Sequence, residues 1–173
     1  MQNGLIIRKE YPADKDQIYF LINQAFESST AAELVERLRE QDKFIISLVA
    51  EIGKKIVGHI AFTRVFLSNS HNPAPGAGLA PLAVLKEYRN RRIGAALIHE
   101  GLQQCEDLGI EFVVVLGYPK YYARFGFQKA SRYGIRCAYN IPDVAFMILE
   151  LNSGILDSIS DHIIQYDHEF DTV

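Results

Sequence analysis

LAPLAVLKEYRNRRIGAALIHEGLQQCEDLGIEFVVVL, residues 79–116, fits a strand, a helix and a second strand into the span of one βαβ unit. Leu79 to Leu85 is an apolar run of strand length. Ile93, Leu97, Gly101, Cys105 and Leu108 then recur at helical spacing, Gly109 closes that helix, and Phe112 to Leu116 is apolar throughout. Two buried strands joined by a helical crossover pair in parallel.

Between strand and helix stands Tyr88-Arg89-Asn90-Arg91-Arg92-Ile93-Gly94-Ala95-Ala96. The first N–H groups of a helix lack intrahelical partners and its dipole adds partial positive charge there. Small residues in the first turn also let a ligand approach closely, so the expected ligand is an anion such as a diphosphate. The alternative is a solvated arginine loop whose small residues merely pack near the sheet. Neither GxGxxG nor GxxxxGK[ST] occurs, which disfavours a Rossmann dinucleotide site and excludes a P-loop.

Upstream, Leu5 to Arg8 reads as a strand, and Ile18, Leu21, Ile22, Ala25 and Phe26 follow at helical spacing. Thr30 with Glu33 reads as the capping box of a second helix ending near Gln41. Phe44 to Glu51 and Lys55 to Phe66 form a hairpin about the turn Ile52-Gly53-Lys54. Ser68 to Gly78 is expected to be an exposed loop, because it collects Ser, Asn, Pro and Gly. Downstream come a short helix from about Pro119 to Phe125, a strand starting near Phe127, a strand from Val144 to Leu151, and a tail from Ser153 with no clear pattern. The sum is a mixed α/β layer, antiparallel in front with a parallel pair behind.

The 173 residues, 49% hydrophobic and 23% charged, suit one domain over 1–173 with 153–173 as its tail. Lys and Arg number 18 against 21 Asp and Glu, so no global basic field favours nucleic acid or anionic lipid. Cys105 and Cys137 stand too far apart in sequence for a metal motif, and no metal is expected. The longest apolar runs, Phe44 to Ala50 and Val144 to Leu149, fall far short of the roughly 20 residues that span a bilayer. With no secretory pattern at the start, a cytoplasmic protein, monomeric or homodimeric, is expected.

Leu82-Ala83-Val84 followed by Tyr88 to Ile98 resembles the central motif of the GNAT acetyltransferase superfamily, Q/R-x-x-G-x-G/A. Arg89 and Gly94 match it. Arg92 stands where the family has its first glycine and is expected to keep a right-handed backbone. Val114 to Phe127 resembles the family's second signature. Arg136-Cys137, Ala145 to Leu151 and Phe170-Asp171 are similar to the YhbS-like subgroup of predicted acetyltransferases.

The resemblance implies a GNAT-like α/β fold, with a mostly antiparallel sheet, a splayed parallel strand pair and flanking helices. It implies acetyl-CoA as cosubstrate, with pantetheine along Leu82, Ala83 and Val84 and the pyrophosphate at Arg89, Asn90, Arg91, Arg92, Ile93, Gly94, Ala95 and Ala96. It implies Tyr122 as the acid that protonates the departing thiolate, and direct attack by an acceptor amine without an acyl-enzyme. The base is open: Glu33, His59 and a water chain are the candidates. The acceptor is expected at Glu27 to Thr30, Ser68 to Gly78 and Ser131 to Pro142, and the family is too varied to name it. A non-catalytic acyl-CoA-binding sensor is the alternative; nucleic-acid binding through Arg89, Arg91 and Arg92 is not expected.

Overall fold

The structure, a computed structural model, describes residues 4–68, 70–71 and 74–172. In chain order its elements are β1 (Leu5–Lys9), α1 (Lys15–Phe26), α2 (Ser29–Glu40), β2 (Phe44–Ile52), β3 (Lys55–Leu67), β4 (Gly76–Val84) and α3 (Ile93–Asp107). They continue with β5 (Phe112–Leu116), α4 (Pro119–Tyr122), β6 (Gln128–Lys129), β7 (Arg136–Cys137), β8 (Phe146–Glu150), α5 (Ile155–Ser158) and β9 (Ile163–Tyr166). Short 3-10 turns join several of them. The chain divides into two compact units: Met1–Phe62, Pro81–Gln104 and Glu169–Val173 form the first, Thr63–Ala80 and Cys105–His168 the second. β3, β4 and α3 each contribute residues to both. The result is the expected mixed α/β fold with a mostly antiparallel sheet.

In the first unit the strand order is β1-β2-β3-β4, with β1 antiparallel to β2 from Leu5↔Ile52 to Lys9↔Leu48. The helical spacing read in α1 is that of its buried face, Ile18, Leu21 and Ile22, and α2 likewise buries Ala32, Val35 and Leu38. α3 packs closely on β3 because two glycines leave room. A Cβ on Gly58 would stand 2.9 Å from Leu97 Cδ1, and one on Gly101 would stand 2.4 Å from Phe62 Cε2. The cap of α2 differs from expectation. Ser28, extended at φ −159, is the N-cap and accepts from the Thr30 amide, so Thr30 already lies inside the helix and Glu33 is exposed on it.

In the second unit β4 pairs in parallel with β5, β5 pairs antiparallel with β8, and β8 pairs antiparallel with β6. One expectation is corrected here. Gly76 to Gly78 were read as loop, yet they open β4; the missing side chains of Gly76 and Gly78 answer to packing rather than to a turn. A Cβ on Gly76 would meet Phe112 Cζ at 2.1 Å, and one on Gly78 would meet Tyr166 Cε1 at 2.7 Å. Of the expected loop, residues 69, 72 and 73 lie outside the described residues. The tail, in turn, is built into the sheet: β9 runs antiparallel to β3 and parallel to β7, a second parallel pairing that the sequence did not reveal. Among the described residues, no helix is long and apolar enough to cross a membrane.

Candidate active site

The parallel register of β4 and β5 covers Gly76↔Phe112 to Leu79↔Val115, and β4 then runs on through residues 80–84. Just past its end, the Leu85 amide donates to the Val57 carbonyl at 3.0 Å, toward β3. Because strand backbone alternates, Val84 and Leu82 turn their N–H and C=O to the other edge, while Ala83 turns toward β3. The Val84 carbonyl is met on that edge by Arg89 Nε at 3.1 Å. Leu82 and the Val84 N–H thus present backbone polar groups that an extended, amide-bearing ligand can pair with, whereas Ala83 is buried and presents none.

A 3-10 turn at Lys86–Tyr88 reverses the chain after β4, and Arg89 to Arg92 carry it, exposed, into α3. Ile93, 1% exposed, anchors the first turn of α3 in the core. The Ala96 amide donates to the Arg92 carbonyl at 3.0 Å, making Arg92 the N-cap residue. The amides from Asn90 to Ala95 donate to no acceptor among the described residues, so they and the helix dipole form a ready cradle for an anion. Ala96 contributes only its small side chain, since its amide is committed.

Arg92 does not keep a right-handed backbone. Its φ is 62° and that of Asn90 is 60°, so both occupy the left-handed region. Alternating hand at successive residues turns several amides to one concave side, an arrangement that favours bound anions. The chain therefore adopts at Arg92 the conformation for which glycine is better suited, at a cost of roughly 1–2 kcal/mol.

Arg89 is also placed differently from a simple anion ligand. Besides Val84, its guanidinium reaches the Ala25 carbonyl in the last turn of α1, Nη2 standing 3.2 Å away. Arg91 lies over the Tyr88 ring at 5.2 Å.

Tyr122 belongs to the second unit. α4 is a single turn with Pro119 at its start, and the Tyr122 amide donates to the Tyr118 carbonyl at 3.2 Å. The ring is 8% exposed and meets Tyr121 and Phe127 edge-on at 5.1 and 5.7 Å between centroids. Burial pushes the phenol above its ordinary range, so it stays protonated at neutral pH. Sequence reasoning passed over Gly117, where a Cβ would stand 2.4 Å from Tyr122 Cε2; its position two residues before Pro119 was the available signal.

The two candidate bases separate. Glu33 is exposed on α2. His59 is fully buried, with Nε2 2.9 Å from Ser47 Oγ and 3.4 Å from Glu10 Oε2. Burial lowers the His59 pKa in spite of Glu10, which keeps the imidazole neutral. Glu10 in turn accepts from Ser47 Oγ at 2.5 Å and from Arg39 Nε at 2.9 Å. Burial would raise its pKa, yet hydrogen bonds from His59, Arg39 and Ser47 hold it well below the usual carboxylate range. No periodicity could have revealed this cluster, because its members come from four separate segments. Neither thiol suits a nucleophile: burial pushes Cys105 up to about 12, and burial also raises Cys137.

A family model described as an acetyltransferase (GNAT) domain matches residues 7–130, a span that holds β4, the arginine loop and α3. The chain belongs to the GNAT acetyltransferase family. Among GNAT relatives, the uncharacterised N-acetyltransferase YhbS of Escherichia coli K12 is 33% identical over 165 residues, 95% of this chain and 98% of that protein. YjhQ, another uncharacterised N-acetyltransferase of the same strain, is 36% identical over 76% of this chain and 74% of its own. The crystal structure of E. coli YhbS in complex with CoA superposes with a TM-score of 0.92 at 32% identity, covering 97% of this chain and 92% of that one. A GNAT family acetyltransferase from Brucella melitensis in complex with acetyl-CoA gives 0.80 at 31% identity, covering 98% of this chain and all of that one (100%).

Proposed function

We propose that the chain acts as one N-acetyltransferase domain that moves an acetyl group from acetyl-CoA directly to the amine of an acceptor. The observation that carries this reading is the run of uncommitted amides from Asn90 to Ala95 at the N-terminus of α3, following the open edge at Leu82 and Val84. Pyrophosphate is held at those amides and pantetheine pairs with that edge. The two relatives solved with CoA and acetyl-CoA support the choice of cofactor. Arg91 and Arg92 supply positive charge beside the phosphates. Each hydrogen bond to a charged oxygen contributes about 1.5–3 kcal/mol, so a few amides suffice for roughly micromolar binding.

The substrate amine attacks the thioester carbonyl, the C–S bond breaks as CoA leaves, and the proton lost from the amine nitrogen passes to water. Tyr122 gives its proton to the departing thiolate, a role taken from its place in the second family signature; its phenol is protonated at neutral pH and so has the proton to give. The raised thiol pKa values of Cys105 and Cys137 support transfer without an acyl-enzyme. The corner from Glu27 to Thr30, between α1 and α2, is proposed to bind the acceptor, whose identity the fold does not specify.

The test is calorimetric titration with acetyl-CoA, followed by thiol release against a panel of primary amines in wild type and Tyr122→Phe. Binding in both, with kcat lowered about a hundredfold in the variant, is the expected result. Binding without any Tyr122-dependent turnover would give the sensor reading instead.

A further inference from the structure

The family resemblance counts Arg89 among the phosphate-binding residues, but its side chain is engaged elsewhere. Nε donates to the Val84 carbonyl at 3.1 Å and Nη2 to the Ala25 carbonyl at 3.2 Å. Nε and Nη2 form one edge of the planar guanidinium, so a single rigid fork holds two carbonyl oxygens from residues 59 positions apart in sequence (84 − 25). Two such oxygens repel each other unless a cation stands between them.

Both carbonyls need this partner. Ala25 lies in the last turn of α1, where carbonyls have no intrahelical donor and the dipole is negative. α1 has no basic residue in that turn, and it ends at Glu27 in the left-handed conformation with φ 52°. Val84 is the last residue of β4 and faces the edge proposed to hold pantetheine. The Arg89 backbone is itself fixed, its amide donating to the Lys86 carbonyl at 3.3 Å.

We infer that Arg89 is a positioning residue: it ties the end of the cofactor strand to the end of α1 and thereby sets the Glu27 to Thr30 corner proposed for the acceptor. This rests on the acetyltransferase reading for its purpose, though not for its geometry. Phosphate charge is then met by the amides of the cradle with Arg91 and Arg92. Lysine cannot replace Arg89, because an ammonium at the end of a flexible stem does not present two parallel donors.

The experiment uses the full chain without acceptor, in wild type, Arg89→Gln and Arg89→Lys. Amide hydrogen exchange is followed at Phe26 to Thr30, and CoA affinity is measured across a salt series. Loss of two charged hydrogen bonds is expected to speed exchange at the corner by about tenfold or more in both variants. The CoA Kd is expected to stay within about threefold of wild type with the same salt slope, since no phosphate contact is lost. With a primary amine that turns over in the panel above, KM for that amine rises about tenfold while KM for acetyl-CoA stays within about threefold, a split that general destabilisation does not produce. Unchanged exchange at the corner overturns the inference, as does a tenfold loss of CoA affinity in Arg89→Gln with a flatter salt slope and recovery in Arg89→Lys. If wild type binds no CoA, the acetyltransferase reading fails, and the exchange result still judges the strut.

Discussion

The Tyr122 ring lies against the bare Cα of Gly117, so closely that a Cβ there would stand 2.4 Å from Cε2 and 3.0 Å from Cδ2. The Gly117 amide is fixed by its bond to the Ala145 carbonyl at 3.0 Å, so the backbone cannot retreat to make room and the ring must move. Gly117→Ala is expected to cost about 1–3 kcal/mol of stability from overpacking. It should also lower kcat about tenfold or more by displacing the phenol, with acetyl-CoA affinity little changed. Denaturant unfolding, calorimetry and thiol release measure the three. Wild-type turnover in Gly117→Ala that still depends on Tyr122 would show that ring placement does not matter.

At Arg92 the left-handed φ of 62° separates backbone from side chain. Arg92→Gly and Arg92→Val both lose the guanidinium, but only glycine takes this conformation freely. Arg92→Gly should unfold at a temperature equal to or above that of wild type, and Arg92→Val should be less stable by about 1–2 kcal/mol. Of the two, the valine variant should bind CoA about tenfold more weakly. Equal CoA affinities in the pair would mean that the left-handed amide is not used.

Acid should destabilise the chain through His59 and Glu10. The folded pKa of His59 lies below its ordinary 6.5, so the stability its neutral form contributes is complete above about 6.5 and is lost as pH falls. Glu10, depressed from 4.5, contributes stability above that value and loses it further down in acid. The unfolding free energy should therefore decline below about pH 6.5, by at most about 1.4 kcal/mol per pH unit for each proton taken up. His59→Gln should flatten the upper part of that decline, from about pH 6.5 to 5. An unchanged profile in the variant would assign the acid sensitivity to other groups.

Gly101 and Phe62 join α3 to β3, with 2.4 Å between Phe62 Cε2 and the place a Cβ would occupy. Gly101→Ala is expected to cost about 1–3 kcal/mol, and Phe62→Leu on the same chain should recover part of it. Equilibrium unfolding of the two single variants and the double variant measures the coupling. Strict additivity would mean that the contact can be relieved by a shift of α3.

The readability of this chain varied with the range of the interaction behind each feature. β4, the arginine loop and α3 were legible because strand length, helical spacing and the end of a helix are written within a few neighbouring residues. β9 was missed. Ile163-Ile164-Gln165-Tyr166 is too short to declare itself and becomes a strand by pairing with β3 and β7, both distant in sequence. The same applies to Gly76 and Gly78, whose small size answers to Phe112 and Tyr166.

By itself the sequence determined the class of fold, the arginine loop leading into α3 and membership of a family, since each follows from local periodicity or a contiguous motif. Only the tertiary structure decided that Arg89 turns to Val84 and Ala25, that Arg92 is left-handed, and that His59 is sealed beside Ser47 and Glu10. The physical reason is the same each time. A side chain's partner and a residue's backbone hand are settled by groups brought near only when the chain packs, and those groups leave no mark on the residues beside them in sequence.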